Sequence, residues 1–386
     1  MGKRVLYLHP HFTLPGGAGR HTLETGKELA RRGWDVHVAS IRHTDPLISG
    51  YHELTFHALG GALPSSLNYW FSLPIRLRQV RKLCRELTPD LVFSQVFPAN
   101  WWGFYIKHML GDQVKHVWMC QEPSAFIHSE RWIRSLPKNP AGLAARLLNR
   151  PLRAIDSALA RHVDYVFANS NFSRDLTLTT YSYDPSLVGI CYPGVDTTRF
   201  TPDRNCTKKL FQFVACARLT RFKNVDRVLR AIALIQREDV TLQVIGDGEE
   251  YESLNQLSNA LGISTRVRFR RAVSDAEMIQ ALQESVGLIH AAEEEPFGLA
   301  PVEAMACGTP VIAIQGGGPT ETISHMETGY LCPLASEHAI QLGIQWMIEN
   351  SRRVEAVQAA CAQRAHHFTW RKSVDALESE FCRLLG

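Results

Sequence analysis

The sequence predicts an α/β chain built as two doubly wound, parallel-sheet domains, and three observations carry that expectation. Its 386 residues exceed the size at which one hydrophobic core keeps growing. Short apolar runs alternate with helix-length amphipathic stretches, the pattern of a parallel sheet covered on both faces. The alternation also restarts after CYPGVDTTRFTPD (191–203), a loop carrying two prolines and a glycine. Residues 1–195 therefore read as one domain and 196–368 as a second, with a closing segment at 369–386.

The first series opens with RVLYLHP, a buried strand, followed by a loop holding Gly16, Gly17 and Gly19. HTLETGKELARR then reads as a helix that stops at Gly33, and DVHVAS as the next strand. Further strands are expected at DLVFSQ (90–95), VKHVWMCQ (114–121) and DYVFANS (164–170). The second series offers FQFVACA, VTLQVIG, VRFR, VGLIHAA, PVIAI and GYLCP. In such sheets the strand C-terminal ends are where ligands bind.

Composition narrows the class. The chain is 45% hydrophobic and 21% charged, an ordinary soluble balance. No apolar run reaches the roughly 18 residues of a membrane span, and the stretch before the first strand shows no n-region and h-region, so no signal peptide is expected. Nine cysteines without CxxC spacing fit reduced thiols, so a cytoplasmic protein is expected, with no disulfide or metal role for them. Residues 1–195 hold 22 Lys+Arg against 14 Asp+Glu, net +8; residues 196–386 hold 20 against 24, net −4. Two domains facing different partners are implied. No motif specifies nucleic acid, which leaves an anionic membrane surface as the partner for the basic half.

Candidate functional residues gather in the second half. ARLTRFKNVDRVLRAIALI places Arg218 and Lys223 in a loop before a helix starting near Val225, a cradle suited to a diphosphate. VIGDGEE places Gly246 and Gly248 at a strand end where backbone can approach a ligand. In HAAEEEPFGLAPVEAMACGTPVIAIQGGGPTETI (290–323), Pro301 suits a helix start and Gly308 its stop. The backbone N–H groups of Phe297, Gly298 and Leu299 would be unpaired donors at that start. Glu295 lies in the loop and Glu303 one turn into the helix, two carboxylates able to accept hydrogen bonds from paired hydroxyls. The glycine loop at 16–19 fits a dinucleotide poorly, because Thr22 stands where a third glycine belongs and the next strand ends in Ala39-Ser40. A phosphate or sugar at that helix start remains compatible, through Gly16 and Gly17.

EPFGLAPVE with AMACGTPVIA and GGGPTETI resembles the retaining nucleotide-sugar glycosyltransferases of family 4 (glycosyl transferases group 1). RLTRFKNVDRVLRA, YPGVDTTRF and PGGAGRHTLETGKELARRGWDV match as well, so the resemblance spans essentially the whole chain. It implies a GT-B architecture, two Rossmann-like domains facing a central cleft, with the acceptor on the first and a UDP- or GDP-sugar donor on the second. By that similarity Glu295 and the 297–299 backbone hold the donor sugar, Glu303 the ribose, and Arg218 with Lys223 the diphosphate. The closing FTWRKSVDALESEF resembles the family's terminal helix, which returns to the first domain.

Two departures stand out. WMCQEP carries Gln121 where the family usually has a sugar-contacting histidine; an amide exchanges hydrogen bonds but carries no proton charge. Arg271, in VRFRRAV, replaces a usual glycine near the base pocket. No two aspartates stand two positions apart, so a metal-independent, cofactor-free reaction is expected, with Arg218 and Lys223 supplying the charge. The expected reaction moves a hexose to a hydroxyl of a glycan or lipid-linked acceptor by front-face displacement. The alternatives are a nucleotide-sugar 2-epimerase, which needs an acid/base that Gln121 cannot supply, and a non-catalytic sugar-nucleotide-binding protein. NYWFSLPIRLRQVRKLCREL (68–87) and RWIRSLPKNPAGLAARLLNRPLRAID (131–156) mix basic and apolar residues, as helices lying on the inner face of a membrane do. His9, His11, His21 and Asn169 fall near strand ends and are candidates to line an acceptor site.

Overall fold

The computed structural model describes residues 2–13, 16–136, 139–203, 205–206, 208–209, 211–350 and 354–386; Pro137 and Lys138 of the second basic stretch lie outside them. The chain divides into two compact units, Met1–Tyr192 with Trp370–Gly386, and Pro193–Thr369.

The first unit is built on a seven-stranded sheet in the order Thr55–Ala58, Asp35–Ser40, Arg4–Leu8, Leu91–Ser94, Lys115–Cys120, Tyr165–Ala168 and Val188–Ile190. Every pairing is parallel. Alternate side chains of Arg4–Leu8 enter different cores, Val5 and Tyr7 on one face, Leu6 and Leu8 on the other. Burial on both faces is why this strand reads as an unbroken apolar run. The closing helix Trp370–Leu385 packs on the helix Gly17–Arg31 and buries Val374, Leu377 and Phe381. Arg32 bridges to Asp375 at 2.8 Å and Glu378 at 2.9 Å, and Trp34 Nε1 donates to Glu378 at 2.9 Å.

The second unit has six parallel strands in the order Val267–Arg270, Thr241–Ile245, Gln212–Cys216, Gly287–His290, Val311–Ile314 and Gly329–Cys332. Strand order reverses between Gln212–Cys216 and Gly287–His290. That reversal opens a crevice at their C-terminal ends.

Three features depart from the sequence expectation. The first helix begins at Gly17, so Gly17 and Gly19 belong to its first turn and Gly16 is its N-cap. Thr55–Ala58 and Val188–Ile190 are additional strands at the two sheet edges, where partial exposure removes the apolar run that marks a central strand. His11–Phe12 and Arg42–His43 form a separate two-residue parallel pair. All nine cysteines are free thiols. Among the described residues no helix is long and apolar enough to cross a membrane.

Candidate active site

The strand reversal in the second unit is flanked by the two segments that hold most of the candidate residues. Residues 217–224 leave Gln212–Cys216, and residues 291–298 leave Gly287–His290. The first segment contains a single 3-10 turn, Arg221–Lys223, and passes into the helix Val225–Leu234 through Asn224. Asn224 adopts a left-handed φ of 50° and is buried, and its Nδ2 donates to the Ala291 carbonyl at 3.0 Å. One amide thus ties the two segments together.

Lys223 Nζ sits 2.5 Å from Glu295 Oε2, and His290 Nε2 lies 3.5 Å from the same oxygen, at the outer limit of a hydrogen bond. Burial alone would raise the Glu295 carboxyl. His290 and the Lys223 charge outweigh that effect and hold it at about 2, so Glu295 is an anion at every working pH. Beside it, Arg227 pairs with Glu293 at 2.5 Å and donates to the Ala335 carbonyl. Arg218 projects into solvent from the first segment.

The helix Leu299–Ala306 starts at Gly298, whose φ of 86° is a left-handed value natural to glycine. Its first-turn N–H groups are the donors expected of a helix start, with Phe297 buried beneath them. Glu303 is buried on the same helix, its charge helping to raise the Cys216 and Cys307 thiols. Gly317 and Gly318 explain why the glutamate loop has a fixed shape. Gly318 N donates to the Glu295 carbonyl at 2.8 Å. A Cβ on Gly317 would meet that carbonyl oxygen at 2.2 Å, and one on Gly318 would meet Phe297 Cα at 2.3 Å.

Gly246 and Gly248 admit the backbone of the neighbouring segment. A Cβ at Gly246 would meet the Ala217 carbonyl oxygen at 1.9 Å, and one at Gly248 the Leu219 oxygen at 2.3 Å. Leu219 N donates to the Asp247 carbonyl and Glu250 N to the Leu219 carbonyl, so these glycines seat the Arg218 segment against its neighbour. Arg271 makes a two-pronged pair with Asp247, at 3.0 and 3.1 Å, and lies over the Tyr251 ring.

Lys223, Glu295, the 297–299 backbone and Glu303 therefore share one end of the second sheet. His290 and Asn224 were missed by the sequence reading. His290 is the last residue of a strand beside the reversal, and that position was the available signal; Asn224 lies within RLTRFKNVDRVLRA, but nothing in that segment singles it out.

Gln121 belongs to the first unit, half-buried at the end of Lys115–Cys120. His9, His21 and Asn169 are buried in that unit, and His11 is half-buried. Burial pushes His9 down to about 3, helped by the neighbouring His11, and His21 down to about 4, so both are neutral at pH 7. Asn169 Oδ1 accepts from Ser173 Oγ at 2.7 Å.

Two doubly wound units, the second with a lysine–carboxylate pair beside a helix start, define the class by fold, and comparison with known proteins gives the family. The glycosyltransferase family 4 model matches residues 15–199 and the glycosyl transferases group 1 model residues 196–367. The chain belongs to this glycosyltransferase family, and its fold is GT-B. It is 27% identical over 341 residues to N-acetyl-alpha-D-glucosaminyl L-malate synthase of Bacillus anthracis, covering 85% of this chain and 84% of that one. It is 26% identical over 398 residues to D-inositol 3-phosphate glycosyltransferase of Mycolicibacterium smegmatis, covering 96% and 87%. Anabaena HepE in complex with UDP-glucose superposes with a TM-score of 0.77 over 98% of this chain and 99% of that one, at 21% identity.

Proposed function

We propose that this glycosyltransferase is a retaining enzyme that moves a hexose from a UDP- or GDP-sugar to a hydroxyl of a glycan or lipid-linked acceptor. The carrying observation is the Lys223–Glu295–His290 cluster at the strand reversal, beside the start of the helix Leu299–Ala306. Donor is assigned to the second unit and acceptor to the first, which also holds Gln121. Glu303 accepts from the ribose hydroxyls, and Glu295 from the sugar. As the sugar–phosphate bond breaks, negative charge grows on the departing diphosphate. Lys223 and the 297–299 amides are preorganised donors for that charge, Arg218 swings in from solvent to join them, and no metal is needed. The acceptor hydroxyl attacks the face the diphosphate leaves, through an oxocarbenium-like state, and its proton passes to the leaving phosphate oxygen. Gln121 positions a hydroxyl and moves no proton.

The test begins with a screen of UDP- and GDP-sugars for thermal stabilisation, because a bound donor raises stability by mass action. The stabilising donor is then incubated alone and with candidate acceptors, and the anomeric configuration of the product is read by NMR. Inversion at the anomeric carbon, or conversion of the donor to its 2-epimer, would overturn the assignment. Binding without turnover under every condition would make the protein a sugar-nucleotide-binding module.

A further inference from the structure

The helix Leu67–Leu87 of the first unit turns one arginine inward. Arg76 is 4% exposed, and no carboxylate of a described residue lies within ion-pair distance of it. A buried charge without a counter-charge is costly to a fold. Its donors are also only partly spent. Nη1 donates to the Leu59 carbonyl at 2.7 Å and to Gln79 Oε1 at 2.6 Å. Nε is buried and has no acceptor among the described residues, and Nη2 donates to none of them.

Arg266 of the second unit, 7% exposed, shows how a purely structural guanidinium behaves. Its Nε, Nη1 and Nη2 donate to the Val240, Ile235 and Ile232 carbonyls. Nε and Nη2 together form the side of an arginine that grips a carboxylate or phosphate with two parallel bonds, as Arg271 grips Asp247. In Arg76 no described residue uses that side.

Arg76 reaches the ligand-binding edge of the sheet. Leu59 follows the strand Thr55–Ala58, and its N–H donates to the Ser40 carbonyl at the end of Asp35–Ser40. Gly60 and Gly61 come next, exposed, with left-handed φ of 68° and 91°. A Cβ on Gly61 would meet Arg76 Nη2 at 2.2 Å, so the guanidinium lies against bare backbone.

We propose that the Nε–Nη2 side of Arg76 receives an oxyanion, phosphate or carboxylate, carried by the acceptor. The inference rests on the transferase reading and narrows its acceptor to an anionic one. Thr55–Ala58 stands four strand spacings from Lys115–Cys120, the strand that ends at Gln121, a separation of about 19 Å. An anion at Arg76 and a reacting hydroxyl at Gln121 therefore belong to different building blocks of the acceptor. A single sugar is too short to supply both.

The test uses the full chain, with inorganic phosphate and malonate as probes. The Arg76 Nε–H resonance, assigned by its loss in Arg76→Lys, should shift on adding anion, and hydrogen exchange should slow at 59–61. A response to phosphate assigns a phosphorylated acceptor, and a response to malonate alone a carboxylated one. Arg76→Lys keeps a charge but cannot make the two-pronged grip, so the anion effect at 59–61 should weaken about tenfold or more. Gly61→Ala tests the same grip with Arg76 intact, because the added methyl group crowds Nη2, and it should weaken the effect as well. With the stabilising donor and a panel of neutral, carboxylated and phosphorylated glycans, Arg76→Lys should raise KM for the anionic acceptor about tenfold and leave kcat near wild type. UDP and GDP binding, measured on the same samples, reports the transferase reading separately. The inference is overturned if neither anion moves the Arg76 signal, or if both variants respond to anion as the wild type does. Preference for a neutral glycan as acceptor would overturn it too.

Discussion

Replacing Glu295 with glutamine removes one charge and little else, and the structure fixes what that charge is worth. The carboxyl is held at about 2 against its ordinary 4.5, despite burial, by His290 and Lys223. At about 1.4 kcal/mol per tenfold change in proton affinity, that depression is worth about 3 kcal/mol to the folded second unit. This is a ceiling, because Lys223 keeps 29% of its side-chain exposure and water screens part of the attraction. A loss of about 1–3 kcal/mol at pH 7 is therefore expected for Glu295→Gln. The sign of its pH dependence follows from the direction of the shift. A depressed folded-state value stabilises fully above the ordinary 4.5 and is lost as pH falls toward 2. As the carboxyl takes up its proton, the gap between wild type and variant should shrink by more than half between about pH 5 and about pH 3. Native-state hydrogen exchange at the amides of Gly287–His290 reads this unit alone. A gap that widens on acidification, or no gap at pH 7, would show that the pair does not stabilise the fold. The same charge state has a kinetic corollary: no limb of the pH–rate profile between pH 5 and 9 should vanish in Glu295→Gln.

Glu303→Gln should weaken donor binding about ten- to a hundredfold, the cost of losing hydrogen bonds to a charged acceptor, as read by titration with the donor nucleotide. Gly318→Ala pushes a methyl group into Phe297 and should depress donor binding while far-UV circular dichroism stays unchanged; wild-type affinity would mean the glycine clamp is not what shapes the loop. Transfer should survive EDTA, and loss of activity restored by Mg²⁺ or Mn²⁺ would show that Lys223 and Arg218 are insufficient for the departing diphosphate. Lys223→Met should lower turnover more than donor affinity, because its charge matters most as the phosphate bond breaks; equal losses in both would assign it to binding alone.

How much of this was legible in the sequence depends on burial. Central strands such as Val311–Ile314 and Gly287–His290 are buried along their whole length and bounded by turn residues, and their positions follow directly. Edge strands such as Thr55–Ala58 mix exposed and half-buried residues, and the pattern that identifies a strand is diluted there. The site divides the same way. Glu295, Glu303 and Lys223 sit in motifs whose spacing around a helix start is visible in one dimension. His290 is linked to Glu295 only through the fold, by the turn that brings the end of its strand back beside the loop. Asn224 acts through a hydrogen bond across 67 residues of sequence. No local pattern announces such a contact.

The glycines show the same limit from the other side, and they carry the argument about the site furthest. A glycine in a sequence signals only that something comes close, and Gly246 and Gly248 invited the reading that the close partner is a ligand. In the fold both admit the backbone of 217–219, while Gly317 and Gly318 admit that of 295–297. The partners are main-chain atoms of the two segments flanking the strand reversal, so a methyl group at any of the four positions moves a segment rather than a side chain. Lys223 and Glu295 reach their 2.5 Å separation from segments clamped in this way on both sides. A charge pair positioned by backbone contact keeps its geometry when side chains rearrange around an incoming substrate, which is what electrostatic preorganisation requires. The glycine motifs and the glutamate motif therefore describe one device. The carboxylate and the lysine supply its charge, and the missing side chains fix where that charge stands.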